Sequence, residues 1–314
     1  MSTDETHIDC LTTDRFRPEF SLEARTIGLV AANALKVDRP FTIRGITSRG
    51  IFVDLDEKLI LFLSREDYRG PLTVNMTWDE AVFDQIEVKA VGRVCSTSLR
   101  FVTPNMAINT GHAAVWSALD TWGPTALPAE LPINDQIICF LDSLLSHSDS
   151  DNELIDAIVH LLSPASPPPG SDKSDLLNAI SIMHQALRQQ DLSGLEKAAH
   201  ALAGRGRGLT PSGDDFLLGI CYGLFMAQTR FPKFYQPAGM LLSKKVSQRS
   251  TLISANLVDC AAAGEVDERL GAAFQALLYP QNSAGSAIDG ILSWGSSSGM
   301  DATAGMAHLL SAIR

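Results

Sequence analysis

The sequence predicts an α+β fold, with an N-terminal β-barrel-like unit followed by a C-terminal α-helical unit. Three observations carry this. Short β-branched runs alternate with turns between about residues 41 and 95, which is the pattern of hairpin-connected strands. From about Pro132 the apolar period changes from two to about 3.6 and stays helical to the C-terminus. The length of 314 residues exceeds what one minimal domain needs. The expected domains are 1–130, β-rich, and 131–314, helical, with the boundary between Trp122-Gly123-Pro124 and Leu131-Pro132.

Taken in order, a helix is expected over about Leu22–Lys36. Strands follow at Phe41–Thr47, Gly50–Leu55, Leu59–Ser64, Leu72–Thr77 and Ile86–Cys95. They are separated by turn residues such as Arg49-Gly50, Asp56-Glu57-Lys58 and Arg69-Gly70-Pro71, at the spacing of a barrel or sandwich. Helices are expected at Asn134–His147, Glu153–Leu162, Lys173–Gln190, Gly194–Ala203, Asp214–Thr229, Pro237–Ser247, Leu252–Ala263, Asp267–Leu278, Ser286–Trp294 and Met300–Ile313. The prolines of Ser163–Asp172 forbid a helix there, so this stretch reads as a surface loop or internal linker.

Composition narrows the function. An apolar fraction of 45% with 19% charged residues is that of a globular protein and excludes disordered and fibrous classes. The net charge of −11, with scattered basic residues, gives no stripe to neutralise a phosphate backbone, so nucleic acid is not an expected partner. Five separated cysteines without a Cys-x-x-Cys pair indicate a reducing compartment. The acidic, polar start Met1–Thr6 lacks the basic and apolar regions of a signal peptide, and no apolar run is long enough to span a bilayer. A cytoplasmic location and no membrane association are expected.

The chemistry concentrates at Gly204–Gly219, which reads Gly-Arg-Gly-Arg-Gly-Leu-Thr-Pro-Ser-Gly-Asp-Asp-Phe-Leu-Leu-Gly. Alternating glycines let the backbone visit positive φ and let a ligand approach the main chain. The helix that follows offers unpaired first-turn N–H groups and the positive end of its dipole. The expectation is therefore a seat for phosphate or a carboxylate at the start of the Asp214 helix. The plainer reading is that Ser212 and Asp215 form a capping-box-like pair that satisfies those N–H groups without a ligand.

A second copy of the pattern Ser-Gly-x-Asp-x-x-x-Gly occurs at Ser298–Gly305. It places Asp215 and Asp301 as equivalent carboxylates on two helix starts that either share one site or keep a duplicated packing motif. Two carboxylates beside an anion need an offsetting charge, so either Mg²⁺ lies between them or they accept ligand N–H groups. Asp214, Asp215 and Asp301 are the candidate catalytic groups. The candidate ligand-binding residues are Arg205, Gly206, Gly208, Thr210, Ser212, Gly213, Thr251, Ser254, Ser298 and Gly299. Thr251 or Ser250 also fits a simple helix cap. The histidines show no metal-binding spacing, and the P-loop pattern is absent.

Gly206-x-Gly208-Leu209-Thr210-Pro211-Ser212-Gly213-Asp214-Asp215-Phe216-Leu217 resembles the signature of the AllH-like family, long catalogued as a domain of unknown function. Ser250–Ser254 and Gly295–Asp301 resemble its two later motifs, and the likeness is read over most of the chain. The resemblance implies a subunit of oxamate carbamoyltransferase, acting beside FdrA-like partner subunits in allantoin and purine nitrogen catabolism. That enzyme converts oxalurate and phosphate to oxamate and carbamoyl phosphate. Relatives often carry a proline where Arg207 stands, so neither arginine transfers. The other readings are a non-catalytic small-anion or nucleotide-binding assembly subunit, and a Mg-dependent phosphotransfer enzyme.

Overall fold

The computed structural model describes residues 16–123, 127–148, 151–163, 174–279 and 284–314. The acidic N-terminus, Cys10 and the Pro-rich stretch beyond Ser163 lie outside the described residues. The chain divides into two compact units, Met1–Asp120 and Thr121–Arg314.

The first unit is a closed eight-stranded β-barrel, as the alternating runs imply. Its strands are β1 (Phe20–Gly28), β2 (Arg39–Thr47), β3 (Gly50–Leu55), β4 (Leu59–Ser64), β5 (Thr73–Met76), β6 (Val91–Cys95), β7 (Ser98–Phe101) and β8 (Met106–Asn109). The order β5-β4-β3-β2-β6-β7-β8-β1 closes through an antiparallel β1–β5 pairing, Ala24 opposite Met76 and Ile27 opposite Val74. A ninth strand, β9 (Ala114–Trp116), continues past β8 along the same side of β1. Ile43, Val53, Leu61, Val74, Val94 and Leu99 are at most 1% exposed. A barrel of eight strands is just wide enough for such side chains to fill it.

Two expectations fail here. Residues expected as a helix from Leu22 form β1 and only a short helix, α1 (Leu29–Ala34). The reason is the alternation Phe20-Ser-Leu-Glu-Ala-Arg, whose exposure also alternates along the strand. The expected strand Ile86–Cys95 begins only at Val91, because Ala90 N–H closes a turn on the Glu87 carbonyl and Lys89 takes φ 74°. A short helix, α2 (Glu80–Phe83), capped by Asp79, precedes that turn. Strands β7 to β9 escape the pattern reading because they have only three or four residues each.

The second unit is helical, as expected. After α3 (Ala118–Trp122), which ends the run between units, come α4 (Asn134–Ser146), α5 (Glu153–Leu162), α6 (Ser174–Gln189), α7 (Leu192–Leu202), α8 (Ser212–Met226), α9 (Tyr235–Arg249), α10 (Leu252–Ala262), α11 (Glu268–Leu278), α12 (Ala284–Leu292) and α13 (Ser298–Ala312). Most of these present one apolar stripe. Helices α8 and α13 are instead buried on nearly every side; α8 is correspondingly rich in Gly, Leu and Phe and α13 in Gly, Ala, Leu and Met.

The two buried helices cross at their glycines. A β-carbon on Gly219 would stand 1.9 Å from the Ala302 carbonyl oxygen, and one on Gly305 would stand 2.1 Å from that of Phe216. Phe216 and Ala302 hold the same place in the two copies of the motif, so the crossing is reciprocal. Only glycine allows backbones this close.

Candidate functional site

The glycine-rich segment forms an exposed loop with a pinned base. Gly204, Gly206 and Gly208 take φ of 76°, 117° and 97°, which side chains resist. Four bonds hold the base. Gly204 N–H donates to Asp214 Oδ1 at 2.7 Å, and Gly213 N–H to the Arg205 carbonyl at 2.8 Å. The Thr251 hydroxyl donates to the Leu209 carbonyl at 2.7 Å, and the Thr210 and Ser298 hydroxyls meet at 2.9 Å. Between these pins, the N–H groups of residues 206–210 donate to no protein group among the described residues, and residues 205–209 are exposed.

The helix start itself is not the free cradle expected from sequence. Gly213 N–H is spent on Arg205, and Asp214 and Asp215 N–H both donate to the Pro211 carbonyl, at 2.8 and 3.2 Å. Three of the expected anion donors are therefore occupied by the chain, and the uncommitted donors lie in the loop before them. Asp214 is likewise consumed. Its Oδ1 takes Gly204 N–H, its Oδ2 takes the Ser250 hydroxyl, and it is 1% exposed. Through both oxygens it braces the base of the loop.

Asp215 and Asp301 lie at the first turns of the crossing helices, each 2% exposed. Each carboxyl has a hydroxyl from across the crossing and one from its own side: Ser298 and Thr210 to Asp215, Ser212 and Ser297 to Asp301. Asn152, the N-cap of α5, donates its amide to Asp301 Oδ1 at 2.6 Å while its own oxygen accepts from Leu154 and Ile155 N–H. One oxygen of each carboxyl, Asp215 Oδ2 and Asp301 Oδ2, is buried without any hydrogen-bond partner. Burial pushes both carboxyls above the usual carboxylate range. Hydroxyl bonds pull Asp215 back, while the Asp301 charge pushes it further up; the Asn152 and serine bonds pull Asp301 back. Three helix starts, those of α5, α8 and α13, thus converge on this pair.

The remaining expected residues divide by what they touch. Gly213 and Gly299 pack, since a β-carbon on either would stand 2.0 and 2.2 Å from the Leu202 and Ile291 carbonyl oxygens. Thr251 caps α10 through Ser254 N–H at 3.1 Å, and Ser254 is buried beneath it. Gly206, Gly208, Thr210, Ser212 and Ser298 stand on the loop and its rim. Arg205 and Arg207 are exposed. Arg205 lines a cleft of about 350 Å³ between α6 and α7, together with Asp175, Asn178 and Lys197. Sequence reading missed Asn152 as part of this centre. Its signal, an Asn directly before the helix at Glu153, reads as an ordinary cap and gives no hint of the second bond it makes.

Barrel and bundle together define a two-unit α+β protein whose helical unit holds a buried carboxyl pair beneath a glycine-rich loop. Within that class, residues 202–310, about a third of the chain, match the family model described as oxamate carbamoyltransferase subunit AllH. The match contains all three motifs that carry the resemblance but does not extend into the β-rich half. The matched family is described as a subunit, so its members act with partner subunits. Neither the curated proteins nor the solved structures include a match to this chain. Among the described residues no helix is long and apolar enough to cross a membrane.

Proposed function

We propose that the chain is a subunit of an oxamate carbamoyltransferase-like enzyme and that its loop 206–210 holds the phosphate. In that reaction a phosphate oxygen forms a bond to the carbamoyl carbon of oxalurate. The bond from that carbon to the oxamate nitrogen breaks, and the nitrogen takes up a proton. The chemistry needs the phosphate oriented and the charge on the carbonyl oxygen offset, which fixed N–H groups do without a covalent intermediate. The observation that carries the reading is the run of uncommitted, exposed N–H groups at 206–210, set by glycines with positive φ and lying inside the matched segment. Arg205 just before it and Arg207 within it supply charge for a doubly charged anion.

The test is phosphate-dependent loss of oxalurate by the purified chain, alone and with FdrA-like partners. Turnover with partners is expected; none in either setting contradicts the reading.

A second reading is a non-catalytic anion-binding subunit that completes its site with a partner. It is favoured by the commitment of both Asp214 oxygens to the loop, which leaves that carboxylate no proton-transfer role. It predicts a saturable rise in melting temperature with phosphate or carbamoyl phosphate and no chemistry in either setting.

A further inference from the structure

Asp215 and Asp301 each bury one oxygen that the chain's own side chains leave without a partner. Both are 2% exposed, and no Lys, Arg or His among the described residues forms an ion pair with either. Removing two carboxylates from water costs several kcal/mol each unless a positive charge or a full set of donors replaces the solvent. Donors here are incomplete, because Oδ2 of each has no partner at all. The helix starts of α5, α8 and α13 supply partial positive charge only.

The arrangement around the two free oxygens is specific. Asn152 fixes Asp301 by holding Oδ1, and it is itself locked by its two bonds to the α5 amides, so Oδ2 is the oxygen left to act. This is how an outer group orients a metal-binding carboxylate. Thr210 and Ser298, 2.9 Å apart, and Ser212 add neutral hydroxyl oxygens on the rim, all half-buried. Every donor is a hard oxygen, with no thiol and no imidazole in the set.

We infer that Asp215 Oδ2 and Asp301 Oδ2 bind one hard divalent cation, of the Mg²⁺ or Ca²⁺ class, at the crossing of α8 and α13. Two carboxylates suffice for such an ion when hydroxyls or water complete its shell, whereas sites of three or more acidic or imidazole ligands are absent among the described residues. The inference does not depend on the carbamoyl-transfer reading, since it rests on the two buried, unpartnered carboxyl oxygens and not on a reaction.

The test uses the full chain, treated with chelator and exchanged into phosphate-free buffer. Mg²⁺, Mn²⁺ and Ca²⁺ are titrated in turn by calorimetry and by thermal unfolding. Saturable binding of one ion per chain is expected, with a rise in melting temperature, and a tenfold or greater loss of affinity in Asp215→Asn and in Asp301→Asn. Asp175→Asn, exposed on α6, should bind as the parent does. If the Asn variants do not fold, the parent protein decides through Mn²⁺, which should broaden the amide resonances of Asn152, Ser212 and Ser298 first. No binding of any of the three ions overturns the inference. So does binding that both Asn variants retain undiminished, or Mn²⁺ broadening centred elsewhere.

Discussion

Gly219 and Ala302 meet backbone to backbone, the site of a missing β-carbon lying 1.9 Å from a carbonyl oxygen, and Gly305 repeats the contact on Phe216. The paired glycines let the two helix starts approach until their carboxyls share one centre. Gly219→Ala and Gly305→Ala should each cost about 3 kcal/mol, because the clash is with backbone and outweighs the helix preference for alanine. Gly285→Ala, where nothing lies within 4 Å, should be neutral or slightly stabilising. Denaturant unfolding of the three variants measures this.

Asn152 ties α5 to α13 through Asp301. Asn152→Ala removes a helix cap and one donor to a buried carboxyl, for an expected loss of about 2 to 4 kcal/mol. Asn152→Asp keeps the cap and places a like charge beside Asp301. It should therefore be worse above the carboxylate pKa range than below it, as melting curves at pH 4 and pH 7 would record.

His308 is fully buried on α13, neither ring nitrogen has a partner, and it packs on His184 and Phe216. Burial, with the neighbouring His184 charge, lowers its pKa from 6.5 to about 3. The folded state therefore binds fewer protons than the unfolded chain between these values, and stability falls as pH drops from about 6.5 toward 3. One group of this kind removes about 2 kcal/mol by pH 5. His308→Phe keeps a ring and should flatten the slope of stability against pH by about one proton over that range.

Gly208 has open space around it and φ of 97°. Gly208→Ala perturbs the loop through backbone strain of about 1 to 2 kcal/mol without a packing clash. Phosphate affinity measured by calorimetry should fall tenfold or more while the melting temperature changes by only a few degrees. Gly206→Ala adds a contact 2.7 Å from Ser212 N and should lower both.

The sequence carries the fold unevenly, for physical reasons. Strands β3 and β4 and helix α5 are legible to the residue, because turn residues and caps flank long regular patterns. Strand β1 was hidden because its alternation runs directly into α1, and β7 to β9 because three or four residues make no period. The doubled Ser-Gly-x-Asp motif discloses that Asp215 and Asp301 are equivalent. It does not disclose that Asp214 is spent on Gly204 and Ser250, since one carboxylate in a first turn looks like another until its partners are in place. The amides of Gly213 to Asp215 escape for the same reason: their acceptors, Arg205 and Pro211, are set by the path of the loop.

The loop before α8 is the proposed seat of a small anion. Amide resonances followed during a phosphate titration of the full chain test this most directly. Saturable shifts are expected at residues 206–210, with Gly213, Asp214 and Asp215 moving little because their N–H groups are already bonded. Silent loop resonances at saturating phosphate, or shifts confined to another part of the chain, would contradict it.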